Sequence, residues 1–106
     1  MSYDFEVHTK HGVVVFYTNY TSNINTMLYH ALLPEEIEEL KGGTSLIRAD
    51  ELLCKLLRKM LESPKKYRKM NPKNGWGDYE SFLETVLKCI FACQTSPRGS
   101  TFHVFA

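Results

Sequence analysis

A chain of 106 residues, 43% of them apolar and 12% aromatic, has material for one hydrophobic core and too little for two, so a single domain over residues 1–106 is expected. The formal charge of +1 conceals a polarity: residues 35–51 hold six acids against two bases, net −4, and residues 55–73 hold eight bases against one acid, net +7. The N-terminus alternates polar and apolar residues from its third position, and no run of about eighteen apolar residues occurs, which excludes a typical signal peptide and a membrane-spanning helix, so a soluble, cytoplasmic protein is expected.

Tyr3, Phe5 and Val7 alternate with Asp4, Glu6 and His8, the period of two that gives a strand one dry face and one wet face over residues 2–8. Thr9-Lys10-His11-Gly12 supplies turn chemistry, and the β-branched and aromatic run Val13-Val14-Val15-Phe16-Tyr17 follows as the second strand of a hairpin. Because that run is almost continuously apolar, it is expected to be the more fully covered strand and the centre of the sheet. The small polar residues of 18–25 bond their own backbone readily, so a loop is expected there, followed by a short helix over about residues 25–32. Pro34, Glu35 and Glu36 suit the first turn of a second short helix, since proline lacks the N–H that would go unpaired and the acids complement the positive helix end. Gly42 and Gly43 mark its stop.

Thr44 or Ser45 can cap a longer helix, in which Ala49, Leu52, Leu53, Leu56, Leu57, Met60 and Leu61 recur at three- and four-residue steps before Pro64 closes it. A basic loop follows. Asp78 is the expected N-cap of the last helix, whose stripe is Tyr79, Phe82, Leu83, Val86, Leu87, Ile90 and Phe91. Ser96-Pro97-Arg98-Gly99 breaks that helix, and residues 101–105 have the composition of a closing strand. The pattern predicts an α+β fold: a small antiparallel sheet, made of the N-terminal hairpin and the C-terminal strand, packed against two main amphipathic helices.

No catalytic motif stands out. Cys54, Cys89 and Cys93 sit inside apolar helical patterns and are expected as reduced thiols. Cys89 and Cys93 are one helical turn apart and His103 offers a third donor, but no second Cys or His pair stands at finger spacing, so neither a metal nor a cofactor is expected. His8, His11, His30 and His103 are scattered, and none neighbours a glycine-framed Cys or Ser. Glu35, Glu36, Glu38 and Glu39 read as a solvated face rather than an acid–base pair.

Three polar clusters remain. Asn19, Tyr20, Thr21, Ser22, Asn23 and Asn25 either line a pocket through amide and hydroxyl groups or simply satisfy a sharp strand-to-helix connection. In NPKNGWGDYE, residues 71–80, Asn71 is held extended before Pro72, Asn74-Gly75 favours a turn, Asp78 caps the helix, and Trp76 is placed to fold back over Phe82 as a hydrophobic staple. Lys65, Lys66, Tyr67, Arg68, Lys69 and Lys73 interleave charge with an aromatic ring and lead to Trp76, an arrangement that either holds phosphates while stacking a base or forms a solvated linker with its tyrosine on the core.

The stretch ESPKKYRKMNPKNGWGDYESFLETVLKCIFAC resembles the C-terminal part of small uncharacterised proteins of bacteriophages and of bacterial genomes carrying phage-like genes, which share Asn-Pro-x-Asn-Gly-Trp-Gly-Asp-Tyr-Glu and a helix ending near Cys. Ser2-Tyr3-Asp4 and NYTSNINTMLYHAL are similar as well, whereas residues 35–47 match little. The resemblance implies a mobile-element origin and favours treating residues 19–29 and 71–79 as one joint surface, without implying a mechanism. The expected function is a small phage or prophage-type accessory protein that acts as a non-enzymatic binding module for a host or phage protein or a polar ligand. Its expected surface is Asn19, Asn23, Asn25, Tyr29, Asn74, Trp76, Asp78 and Tyr79, with Trp76 as anchor. The alternatives are nucleic-acid binding through the basic segment of residues 65–73 and a small-molecule enzyme with a pocket between the two polar loops.

Overall fold

The structure, a computed structural model, describes residues 2–106. Strand β1 (Ser2–His8) and strand β2 (Val14–Thr21) form the hairpin, and a single 3-10 turn (Ser22–Ile24) leads into α1 (Asn25–Ala31) and α2 (Pro34–Lys41). The two-residue β3 (Thr44–Ser45) precedes the long α3 (Leu46–Glu62), the short α4 (Pro64–Arg68) and the long α5 (Tyr79–Thr95), and β4 (Thr101–Phe105) closes the sheet. The α+β architecture is as the sequence predicts, with β3 as an added fourth strand. All pairings are antiparallel, in the order β2-β1-β4-β3.

That order corrects the expected centre of the sheet. The alternating strand β1 lies inside, paired with β2 on one side and β4 on the other, and the valine-rich β2 is an edge. Tyr3, Phe5 and Val7 of β1 are buried with Phe102 and Val104 of β4, and register sets Phe5 beside Val104 and Val7 beside Phe102. Asp4, Glu6 and His8 occupy the opposite face, which is only half-buried. A continuous apolar run marks a central strand only where both sheet faces are covered. Here Phe16, Thr18 and Tyr20 pair with Val7, Phe5 and Tyr3 on the core side, whereas Val13, Val14, Val15 and Tyr17 remain about half exposed. The same period of two carries β2 on to Thr21, past the expected loop start at Thr18.

Both long helices begin at side-chain caps: the Ser45 hydroxyl accepts the N–H of Arg48 at 3.2 Å, and the Asp78 carboxylate accepts that of Ser81 at 2.8 Å. They run antiparallel, since the Tyr79 hydroxyl at the start of α5 donates to the Met60 carbonyl near the end of α3 (2.8 Å). Asp50 and Gln94 meet at the other end of the pair. Their buried residues, Ala49, Leu52, Leu53, Leu56 and Met60 against Phe82, Val86, Cys89, Ile90 and Cys93, fill the core above β1 and β4. Each large member contributes about 1.5–3 kcal/mol relative to exposure. The expected stripes are too broad at their margins: Leu61 of α3 and Leu87 and Phe91 of α5 are exposed.

Part of the acidic stretch is paired within the chain. Arg48 grips Glu39 through two nitrogens at 2.8 and 3.0 Å, and Lys55 reaches Glu36 at 2.8 Å, so α3 is tied to α2 along its flank. These bonds hold the Glu39 and Glu36 carboxyls below the usual carboxylate range. No helix is long and apolar enough to cross a membrane among the described residues.

Candidate functional site

The two polar clusters meet at one end of the molecule. Ser2, Asn19, Thr21 and Asn23 form one wall of an open groove of about 590 Å³, and Asn74 and Trp76 form the other. The first wall is stiffened by hydrogen bonds: the Asn19 amide donates to the Asp4 carboxylate at 2.7 Å and to the Ser2 hydroxyl at 2.9 Å, and the Tyr17 hydroxyl donates to the same Asp4 at 3.0 Å.

The second wall is a loop whose asparagines serve its own backbone. Asn71 accepts the N–H of Tyr79 at 2.9 Å, closing the loop on itself, and Asn74 accepts the N–H of Trp76 at 3.0 Å. Gly77 sits at φ 89°, and a Cβ there would lie 2.6 Å from the Thr21 methyl carbon, so only glycine lets the loop approach β2 this closely. Tyr20 is the joint between the walls. Its hydroxyl accepts the N–H of Asp78 at 3.1 Å, lies 3.2 Å from the Asp78 carbonyl and hydrogen-bonds the Ser81 hydroxyl, and its ring packs on Phe82 with centroids 5.5 Å apart.

The place over Phe82 assigned to Trp76 is thus held by Tyr20, and the staple is not formed. Trp76 instead points outward with 70% of its surface exposed. The backbone that carries it is held by the side chains of Asn71 and Asn74, clear of the core. Of the eight candidate residues, Asn19, Asn23, Asn74 and Trp76 line the groove. Asn25 takes the Tyr3 hydroxyl as its partner and Tyr29 projects from α1, both away from the groove lining. Asp78 is committed as a helix cap, its carboxyl held low by the backbone and hydroxyl of Ser81. Tyr79 is a core residue, so its assignment to the surface is corrected: as the first residue of α5 it turns toward α3, where its hydroxyl finds Met60. Thr21, named in the polar cluster of residues 19–25 but not among the eight, also lines the groove, and Ser2 is the lining residue that the sequence did not mark.

The basic segment is altered in the same way. Residues 64–68 form α4 rather than a loop, with Pro64 in its first turn. Tyr67 is buried, edge-on to His30, with its hydroxyl pushed up by burial, and therefore presents no ring to a base. Arg68 pairs with Glu80 at 2.7 Å and lies over the Tyr79 ring. Lys65, Lys66, Lys69 and Lys73 remain exposed, and the exposed ring that follows them in the chain is Trp76.

Nothing in the groove lining titrates: its side chains are hydroxyls, amides and an indole. The three cysteines are free thiols; burial pushes Cys93 up to about 12 and raises Cys89 further, which leaves neither as a ready nucleophile. Among the described residues no three His, Cys, Asp or Glu side chains come together as a metal site. An apolar void between the sheet and the helices, lined by Phe5, Leu28, Leu53, Phe82 and Val86 among others, measures about 20 Å³ and is packing space rather than a ligand site. No family model matches the chain, and no curated protein or solved structure matches it either.

Proposed function

We propose that the protein is a small non-enzymatic binding module that takes a segment of a partner protein in the groove between β2 and the 71–78 loop, with Trp76 as the anchor. The carrying observation is the exposure of Trp76 across an open groove from Asn19, Thr21 and Asn23, in a loop whose shape is fixed by internal hydrogen bonds. A rigid loop loses little conformational entropy on binding, and tryptophan at the centre of an interface supplies a large share of its energy. The amides and hydroxyls around it suit the alternating donors and acceptors of a peptide backbone. An absence of titratable groups from the lining speaks for capture rather than turnover. The resemblance to phage-type proteins adds a setting, a bacterial host in which the partner is a host or phage protein.

The test is a quantitative pull-down from bacterial host lysate with wild-type and Trp76→Ala baits in parallel. The expected outcome is one or a few proteins retained by the wild type and lost with the variant. Identical profiles for the two baits would sink the reading. Because Trp76 is the sole tryptophan, its emission should also shift when the purified partner is added.

A further inference from the structure

Side chains alternate along a strand, so His8 of β1 and Thr101, His103 and Phe105 of β4 stand on the sheet face opposite the core. The His8 and His103 rings stack there with centroids 4.3 Å apart, and Phe105 lies against both at 6.1 and 5.7 Å. Glu6 holds Nε2 of His8 at 2.7 Å, and the Thr101 hydroxyl lies 2.7 Å from Nε2 of His103.

His103 is hemmed in from the side of β3 as well. Gly43 leads into β3 at φ 84°, and a Cβ there would lie 2.6 Å from Cε1 and 2.7 Å from Nδ1 of the His103 ring. The imidazole is therefore seated directly on the Gly43 backbone, a contact that only glycine permits. One ring thus joins three segments distant in sequence: β1 through His8, the turn before β3 through Gly43, and its own β4.

Few charges surround it. His8 and Glu6 face it from β1, Tyr17 lies opposite Glu6 on β2 but is bound to Asp4, and Lys41 at the end of α2 is drawn over the Tyr3 ring. Among the described residues Glu6 forms a salt bridge with His8 and with no lysine or arginine. One carboxylate thus serves two imidazoles, matching one positive charge on the stack and leaving a second unmatched. Burial, then the neighbouring His8, holds His103 below the ordinary histidine value against the opposing pull of Glu6.

We propose that the stack of His8 on His103 is an acid-sensitive clasp on the closing strand. With at most one proton on the two rings, it holds β4 to β1 and to the Gly43 turn. A second proton sets like charges face to face, and the rings separate by lifting His103 off Gly43. The two-residue β3, paired with β4 alone, is the first element to loosen. The unfolded chain takes up the His103 proton more readily than the folded one. The contribution of the clasp is therefore complete above the unfolded value of about 6.5 and is lost as pH falls through the lower folded value. The clasp is independent of the Trp76 groove.

The full chain is titrated by NMR from about pH 8 to about pH 5, following the imidazole Cε1–H and backbone amide signals. The His103 midpoint is expected below about 6.5. It should move up in His8→Gln, which removes the like charge, and further down in Glu6→Gln, which removes the matching one. Amides of residues 43–45 and 101–105 should shift with the same midpoint, while those of Met60 and Tyr79 between the long helices stay in place. In urea unfolding the wild type should lose stability over this range, and His103→Gln, which stays uncharged, should lose less. His8→Gln reads the same difference if His103→Gln does not fold. A His103 midpoint unmoved by His8→Gln overturns the proposal. So do β3 and β4 amides that ignore the titration, or acid losses equal in the wild type and the variants.

Discussion

Trp76 and Tyr79 stand three residues apart in one glycine-framed segment and end in opposite surroundings: the first is largely exposed, the second retains 2% of its surface. Their chemistry does not separate them, since both are large rings with one polar atom. Position relative to the helix cap does. Trp76 precedes the positive-φ Gly77 and is carried on the turn, whereas Tyr79 follows the Asp78 cap and enters α5 on its buried face. Here the ring before the cap is left at the surface, and the ring after it enters the core.

Substitutions can break that contrast, beginning with the buried partner. Tyr79→Ala should cost about 3–5 kcal/mol in urea unfolding, because it removes a ring from between α3 and α5 and leaves the Met60 carbonyl without its donor. A loss below about 1 kcal/mol would mean that the ring is not a core member. Gly77→Ala is next, at about 1–3 kcal/mol, since alanine is strained at this φ and its Cβ meets Thr21. Part of the loss should return when Thr21→Ser removes the opposing methyl.

Asp78→Ala should cost about 1 kcal/mol through the lost cap. The carboxyl titrates below its ordinary range in the folded chain because Ser81 stabilises the anion. Its contribution is therefore complete above the unfolded carboxylate value of about 3.9 and fades as pH falls through the lower folded value, so the gap between wild type and variant should close in acid. Trp76→Ala should be the mildest, within about 0.5 kcal/mol of wild type by thermal unfolding, while removing partner capture. A large loss of stability there would return the tryptophan to the core and erase the contrast.

What was legible in the chain is what neighbours in sequence decide. The caps at Ser45 and Asp78, the turn at Gly12 and the buried rows of α3 and α5 all follow from residues within one or two helical turns of one another. The place of β2 does not, because it depends on β4 claiming the other side of β1. The fate of Tyr67 depends likewise on His30 and on the end of α3, neither of which its own basic surroundings announce. The groove was half legible. Asn19, Asn23, Asn74 and Trp76 were marked by composition, but the continuation of β2 to Thr21 makes Tyr20, rather than Trp76, the contact with Phe82.

The sheet order also governs when the fold can form. Asp4 pairs with Phe105 and His8 with Thr101, so the inner flank of β1 is sealed only after residues 101–105 have left the ribosome. Until then the hairpin carries a bare row of N–H and C=O groups on each side, a template for pairing with other chains. Contacts so distant in sequence slow folding, because the loop between them must close before they stabilise anything. Synthesis and folding are thereby separated in this small domain: its helices can form as they emerge, and its sheet must wait for residues 101–105.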